Sequence, residues 1–139
     1  MRIFLDANIL FSASATGSAI RLLLDAALKY ADECITNPHA FEEAKRNIEA
    51  KRLQQLSAYK KIIKSVTVSN AFYPDLSVNL PQQDVPILAG AIGAQCTHLW
   101  TGDKKHFGAL YEKTIHGVQI VSSILLADIL IDLGWEVKF

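Results

Sequence analysis

The stretch Arg2-Ile3-Phe4-Leu5-Asp6-Ala7-Asn8-Ile9-Leu10 decides how the rest of the sequence is interpreted. Residues 2–5, three of them large and apolar, have the length of a short buried strand, and the run ends abruptly at an acid, Asp6. A carboxylate beside buried apolar residues is costly unless it is paired or bound to a cation. The stretch therefore predicts a strand that carries an acidic side chain to the edge of a sheet.

Three further acids lie beside apolar segments farther along the chain. Asp103 follows the predicted strand that ends at Thr101, as Asp6 follows the first strand. Glu43 and Asp84 are predicted in the first turns of helices, where capping and the helix dipole already favour an acid. Capping does not explain why two strands also end in acids. The four acids together therefore predict a site for a hard divalent cation, Mg²⁺ or Mn²⁺.

The order of the predicted elements indicates an α/β fold. Strands are predicted at 2–5, 33–36, 66–68, 98–101, 119–121 and 135–139, and helices at 20–31, 38–51, 53–64, 84–95 and 122–133, with loops at 12–18 and 70–81. Strands separated by helices require right-handed crossovers, which predict a three-layer α/β/α arrangement around a mainly parallel sheet. Ligands bind beyond the carboxyl ends of such strands, so Asp6 and Asp103 should share one crevice.

Length and composition limit the class of protein. The 139 residues, half of them hydrophobic, predict a single domain over 1–139 with a packed core. No apolar run reaches the roughly 18 residues of a spanning helix, and the start lacks the pattern of a signal peptide, so we expect no membrane association. Cys34 and Cys96 have no metal-ligand spacing and are expected to be buried thiols in a reducing cytoplasm.

The charges are balanced overall but unevenly distributed. The chain has 14 basic and 14 acidic residues, so no global field favours nucleic acid. Seven of the basic residues fall between positions 45 and 64, where only Glu49 opposes them. This basic segment (Lys45, Arg46, Lys51, Arg52, Lys60, Lys61 and Lys64) could follow a phosphate backbone, or it could be the solvated face of a helical hairpin.

Three segments of the sequence resemble a known family. Phe4-Leu5-Asp6-Ala7-Asn8-Ile9-Leu10 resembles the opening motif of PIN-domain nucleases, and Asp84-Val85-Pro86-Ile87-Leu88-Ala89-Gly90-Ala91 resembles their third-acid helix. Leu99-Trp100-Thr101-Gly102-Asp103-Lys104-Lys105-His106-Phe107 is similar to their fourth-acid motif. The order and the spacing also match, and the likeness covers almost the whole chain.

The resemblance implies a PIN-like α/β/α fold, one or two Mg²⁺ or Mn²⁺ ions, and cleavage of single-stranded or structured RNA. Asp6 and Asp84 match metal ligands of the family, and Asp103 matches a ligand that binds directly or through water. Glu43 matches the second acid, which orients the attacking water or holds a second ion. Its neighbour Glu42 is not cleanly separated from it by the sequence.

Four other residues are candidates for supporting roles around these acids. Asn8 and Thr101 match family positions that support the acids. Lys104 could steer RNA, although an ordinary loop lysine needs no such role. His106 could touch substrate phosphate, or it could have a local structural or solvent-facing role.

Small proteins that consist of a single PIN domain are often VapC-like toxins of toxin–antitoxin pairs. The resemblance therefore implies a homodimer and a small antitoxin protein that inserts into the acidic cleft. The near-neutral net charge departs mildly from an RNA-attracting surface. That departure concerns the affinity for RNA more than the chemistry.

Two other functions are compatible with parts of the pattern. Haloacid dehalogenase-like phosphatases also begin with an acid after the first strand, but they need a second Asp two residues later, where this chain has Asn8. A further acid would be expected four residues after Asp103, where this chain has Phe107. The second alternative is a non-catalytic PIN-like scaffold that binds RNA or a protein partner.

Overall fold

Six strands and seven helices follow one another along residues 1–137, the part of the chain that the computed structural model describes. The strands are β1 (Arg2–Leu5), β2 (Glu33–Thr36), β3 (Thr67–Val68), β4 (His98–Trp100), β5 (Thr114–Ile115) and β6 (Val118–Val121). The helices are α1 (Ala7–Ala13), α2 (Ala19–Tyr30), α3 (Pro38–Lys51), α4 (Leu56–Ile63), α5 (Val85–Gly93), α6 (Lys104–Phe107) and α7 (Ser123–Asp132). Short 3₁₀ turns at Leu53–Gln55, Gln82–Asp84 and Gly108–Leu110 join some of them.

The strands form one sheet in the order β3-β2-β1-β4-β6-β5. All neighbouring strands are parallel except β5, which runs antiparallel to β6. The chain moves from β1 to β2 and β3 in one direction and then returns past β1 to form β4. Because parallel crossovers are right-handed, this reversal places helices on both faces of the sheet. The predicted α/β/α class with a mainly parallel sheet is confirmed.

Polar residues cap three of the helices that the sequence predicts. Ser18, Asn37 and Ser122 each accept a hydrogen bond from the backbone N–H three residues later, at the starts of α2, α3 and α7. Gly134 has a φ of 111° just beyond α7, which is the left-handed conformation in which glycine commonly ends a helix. These local signals set the ends of the helices that flank the sheet.

Helix α1 was not predicted. Its residues are mostly buried and apolar, so the pattern alone does not distinguish a helix from an extended segment. The helix begins because the carboxylate of Asp6 accepts a hydrogen bond from the N–H of Ala7, and it packs against α2 and α3. The loop predicted from residue 12 therefore begins only after Ala13.

The hairpin of β5 and β6 was also missed, and the predicted closing strand was wrong. His116 and Gly117 make a tight turn with φ values of 48° and 84°, and histidine is not a usual signal for that conformation. Residues 135–137 form no strand, and residues 138 and 139 of the same prediction lie outside the described residues.

Large apolar side chains on the central strands form the core. Phe4, Leu99 and Trp100 are fully buried, and the thiols of Cys34 and Cys96 are buried and unpaired. Burial raises the pKa of Cys96 to about 11, so this thiol stays protonated at neutral pH. Within residues 1–137, no helix is both long enough and apolar enough to cross a membrane.

Candidate metal centre

The four predicted acids line a single cleft at the carboxyl ends of β1 and β4. This is the point at which the strand order reverses, and ligands bind at such points in parallel sheets. The cleft has a volume of about 350 Å³, and its lining side chains are polar or charged: Asp6, Asn8, Glu43, Asn47, Gln83, Asp84, Asp103 and His106.

Asp6 forms the buried floor of this cleft. Only 4% of the residue is exposed, and its Oδ1 accepts a hydrogen bond of 2.7 Å from the N–H of Ala7. Its Oδ2 accepts a 2.8 Å bond from the hydroxyl of Thr101 and a 3.2 Å bond from the amide of Asn8. The carboxylate is therefore held in one orientation by three donors.

Asn8 and Thr101 connect the ends of the two central strands. The Oδ1 of Asn8 accepts a 2.8 Å bond from the N–H of Gly102, and the hydroxyl oxygen of Thr101 accepts a 3.1 Å bond from the N–H of Asp103. Both side chains therefore orient Asp6 while they position the segment that carries Asp103. Tyr111 adds a hydrogen bond of 3.1 Å from its hydroxyl to the carbonyl oxygen of Thr101.

Burial raises the pKa of Asp6 to about 6, even though the hydrogen bonds from Thr101 and Ala7 favour the ionised form. The negative charges of Glu43 and Asp84 add to this increase. A carboxylate whose charge is disfavoured by burial and by neighbouring acids is typical of a functional site. A bound cation would offset both effects.

Glu43 reaches the cleft, and Glu42 does not. The two acids lie in the second turn of α3, not in the first turn as predicted, and only Glu43 lines the cleft and influences Asp6. Glu42 is exposed, and its charge acts on Tyr59 instead.

Two cleft residues were not predicted from the sequence. Asn47 follows Glu43 by one turn of the same helix, so helical spacing was an available signal for it. Gln83 precedes Asp84 in a 3₁₀ turn that the sequence did not indicate. No comparable signal pointed to Gln83.

Asp84 lies at the start of α5 but does not cap it. Its side chain makes no capping hydrogen bond, so capping does not account for an acid at this position. Burial, together with the nearby charge of Asp103, raises the pKa of Asp84 above its ordinary value, although His106 opposes this increase. The carboxylate of Asp84 is therefore available to a ligand in the cleft.

Asp103 both caps a helix and faces the cleft. Its Oδ1 accepts a 3.1 Å hydrogen bond from the N–H of His106 and so begins α6. Its Oδ2 lies 2.9 Å from Nδ1 of the His106 ring. Lys104 is exposed at the first position of this helix and is not part of the cleft lining.

His106 brings Asp84 and Asp103 together. Its Nδ1 lies 2.7 Å from Oδ2 of Asp84, and one ligand atom from each of the three residues lies within 4.8 Å of the others. Among the described residues, Oδ2 of Asp84 and Nδ1 of His106 are buried side-chain atoms that make no hydrogen bond. A ring nitrogen that lies between two carboxylate oxygens without well-formed hydrogen bonds fits a divalent cation, as it also fits an ion pair with protonated His106.

Comparison with known proteins extends the description of the fold. No protein-family model matches the sequence, and no curated protein matches it. Among solved structures, this chain is similar to VapBC2 from Rickettsia felis, with a TM-score of 0.65. That structure was crystallised with a DNA fragment from the promoter of VapBC2. The match has 17% sequence identity and covers 88% of this chain and 98% of that chain. At this identity the likeness shows a shared fold, in agreement with a PIN-like α/β/α arrangement.

Proposed function

We propose that this protein is a metal-dependent endoribonuclease that hydrolyses phosphodiester bonds in RNA. The observation that carries the proposal is that Asp6, Glu43, Asp84 and Asp103 come from four separate segments and converge in one cleft. Clustered carboxylates repel one another, so a fold that assembles them needs a compensating cation. The resemblance of the three acid motifs to PIN-domain nucleases supports RNA as the substrate.

The cleft residues have distinct roles in this proposal. Asp6, Asp84 and Asp103 would hold the cation. Asn8 and Thr101 hold the Asp6 carboxylate in place through the hydrogen bonds described above. Glu43 would accept a hydrogen bond from the water that attacks the phosphodiester.

Mg²⁺ or Mn²⁺, when bound, lowers the pKa of a water and stabilises the charge that develops on the leaving oxygen. In the absence of the cation, the four carboxylates repel the RNA phosphate. Cleavage is therefore expected to depend strictly on a divalent ion.

The first test is RNA cleavage by the purified protein on a panel of single-stranded and structured RNAs. Cleavage should occur with Mn²⁺ or Mg²⁺ and stop with EDTA. Asp84→Asn should reduce cleavage by about a hundredfold or more, because it removes a metal ligand. Asp128→Asn, the same change at an exposed acid on α7, is the matched control and should leave the rate unchanged.

Each other outcome identifies a different function. Cleavage that persists in EDTA or in Asp84→Asn would contradict the metal mechanism. A protein that binds Mn²⁺ and RNA without cutting any RNA in the panel would be a binding scaffold. Release of phosphate from a phosphomonoester would favour the phosphatase alternative, although Asn8 is committed to hydrogen bonds with Asp6 and Gly102 and is no general acid.

We further propose that the protein acts as the toxin of a toxin–antitoxin pair, as the resemblance to VapC-like toxins and the shared fold with VapBC2 suggest. Induced expression should stop bacterial growth, and expression of Asp84→Asn at the same level should not. Equal growth of the two cultures would contradict the proposal that the protein is a toxin. The same resemblance predicts a homodimer, for which light scattering should give twice the chain mass of 15.3 kDa.

A further inference from the structure

The position of His106 adds a possible nitrogen ligand to a cleft whose other candidate metal ligands are carboxylate oxygens. Asp103, the N-cap of α6, and His106 are three residues apart, so their side chains lie on the same side of that short helix. The backbone N–H of His106 donates a hydrogen bond to Oδ1 of Asp103, and Oδ2 of Asp103 faces the imidazole ring. Asp84 approaches the same nitrogen from the start of α5.

The distances around Nδ1 are those of neighbouring ligands on one ion. A six-coordinate ion with ligands at about 2.1 Å has adjacent ligand atoms about 3 Å apart. The Nδ1 of His106 lies 2.7 Å and 2.9 Å from the carboxylate oxygens of Asp84 and Asp103.

These contacts are short enough for ion pairs between a protonated His106 and the two carboxylates, but they lack the geometry of hydrogen bonds. Within residues 1–137, Nδ1 of His106 and Oδ2 of Asp84 are buried atoms with no hydrogen bond of good geometry. Burying unpaired polar atoms costs free energy unless a ligand compensates for it. A cation between the three side chains would supply the missing interaction for both atoms.

We infer that His106 is a direct ligand, through Nδ1, of the cation held by Asp84 and Asp103, and that the site therefore prefers Mn²⁺ to Mg²⁺. Imidazole nitrogen binds transition-metal ions well, whereas Mg²⁺ prefers oxygen ligands. The inference rests on the metal site of the proposed function and adds both a ligand and a preference to it. The three carboxylates alone would bind the two ions with less discrimination.

Pulsed electron paramagnetic resonance of the Mn²⁺-loaded protein tests this ligand directly. The wild-type spectrum should show the coupling of Mn²⁺ to a ¹⁴N nucleus. His106→Gln should lose that coupling and bind Mn²⁺ about tenfold more weakly or worse, with a smaller loss of Mg²⁺ affinity. His39→Gln is the matched control, because His39 is an exposed histidine whose charge also acts on Asp84, and it should retain the coupling.

The possible results separate this inference from the proposed function. Bound Mn²⁺ without nitrogen coupling in the wild type, or coupling that persists in His106→Gln, would overturn the inference and leave the nuclease proposal intact. Nitrogen coupling in a protein that cuts no RNA would support His106 as a metal ligand and contradict the proposed nuclease activity. Absence of Mn²⁺ binding would overturn both the ligand and the metal mechanism.

Discussion

Asp6 is the residue at which burial and charge conflict most strongly. Its pKa of about 6 in the folded protein exceeds its ordinary value of 3.8, so the folded state holds the proton more tightly than the unfolded chain. The contribution of Asp6 to stability is therefore fully present below about pH 4 and is lost as the pH rises through 6. At pH 8 without metal, this loss amounts to about 3 kcal/mol.

Urea unfolding in EDTA between about pH 4 and pH 8 measures this effect. The wild-type protein should lose stability with rising pH relative to Asp6→Asn, whose side chain does not titrate. The comparison is needed because burial lowers the pKa of His98, which changes stability in the opposite direction in both proteins. Equal pH dependence of the two proteins would contradict the assignment to Asp6.

Thr101 is the second residue whose role can be isolated. Thr101→Val keeps the shape of a fully buried side chain but removes the donor to Asp6, and we expect a loss of about 1–3 kcal/mol in the free energy of unfolding together with weaker Mn²⁺ binding. Thr36→Val is the matched control, because buried Thr36 donates a 2.9 Å bond to the carbonyl of Leu5 instead. The control should lose comparable stability and keep its affinity for Mn²⁺, as calorimetry would show.

At the scale of elements, Asn37 joins the two helices that carry Glu43 and Asp84. Its Oδ1 accepts a 2.9 Å bond from Ala40 at the start of α3, and its amide donates a 3.1 Å bond to the carbonyl of Pro86 in α5. Glycine at position 90 makes this possible, because a Cβ there would lie 2.4 Å from Nδ2 of Asn37. The helices can therefore approach closely at this point.

Gly90→Ala should separate α5 from α3 and weaken Mn²⁺ binding, with a loss of about 1–3 kcal/mol in the free energy of unfolding. Gly108→Ala is the control, because its Cβ would meet only Lys104 Cβ at 3.9 Å. Chemical denaturation and Mn²⁺ titration of both variants would measure the difference. A Gly90→Ala protein as stable as the wild type would show that the helices tolerate the added methyl group.

The elements differ in how far sequence could predict them. Helices α2, α3 and α7 have polar caps in the sequence, and those caps form. Helix α1 is capped by the residue that precedes it, Asp6, so a local signal was present, but the apolar run hid it. Strand β5 pairs with β6 across the turn at His116 and Gly117, where histidine is not a usual signal.

Asp6, Asp84 and Asp103 could be expected in the cleft from their positions at strand and helix ends. Glu43 lies inside α3, and Gln83 reaches the cleft through a turn with no sequence signal.

At the scale of the whole molecule, the basic segment extends from the cleft. Helix α3 carries Glu43 into the cleft and continues to the exposed residues Lys51 and Arg52. If RNA follows this path, Lys51→Glu/Arg52→Glu should weaken RNA binding and reduce the slope of log affinity against log salt by roughly 0.7 for each lost contact.

Lys29→Glu/Lys113→Glu changes the net charge equally at exposed positions outside this segment and is the matched control. Its affinity for RNA should fall less, and its salt slope should match that of the wild type. Filter binding at several salt concentrations would measure both quantities. Equal slopes for the two double variants would identify the basic segment as a solvated helix face.

The order of the strands has a consequence for the synthesis of the protein on the ribosome. Asp6 follows Leu5 in β1, and the strand partner of Leu5, Trp100 in β4, is synthesised about a hundred residues later. No shorter nascent chain can bring Asp6 and Asp103 into one cleft. The candidate metal site therefore cannot exist in a nascent chain until Asp103 has been synthesised.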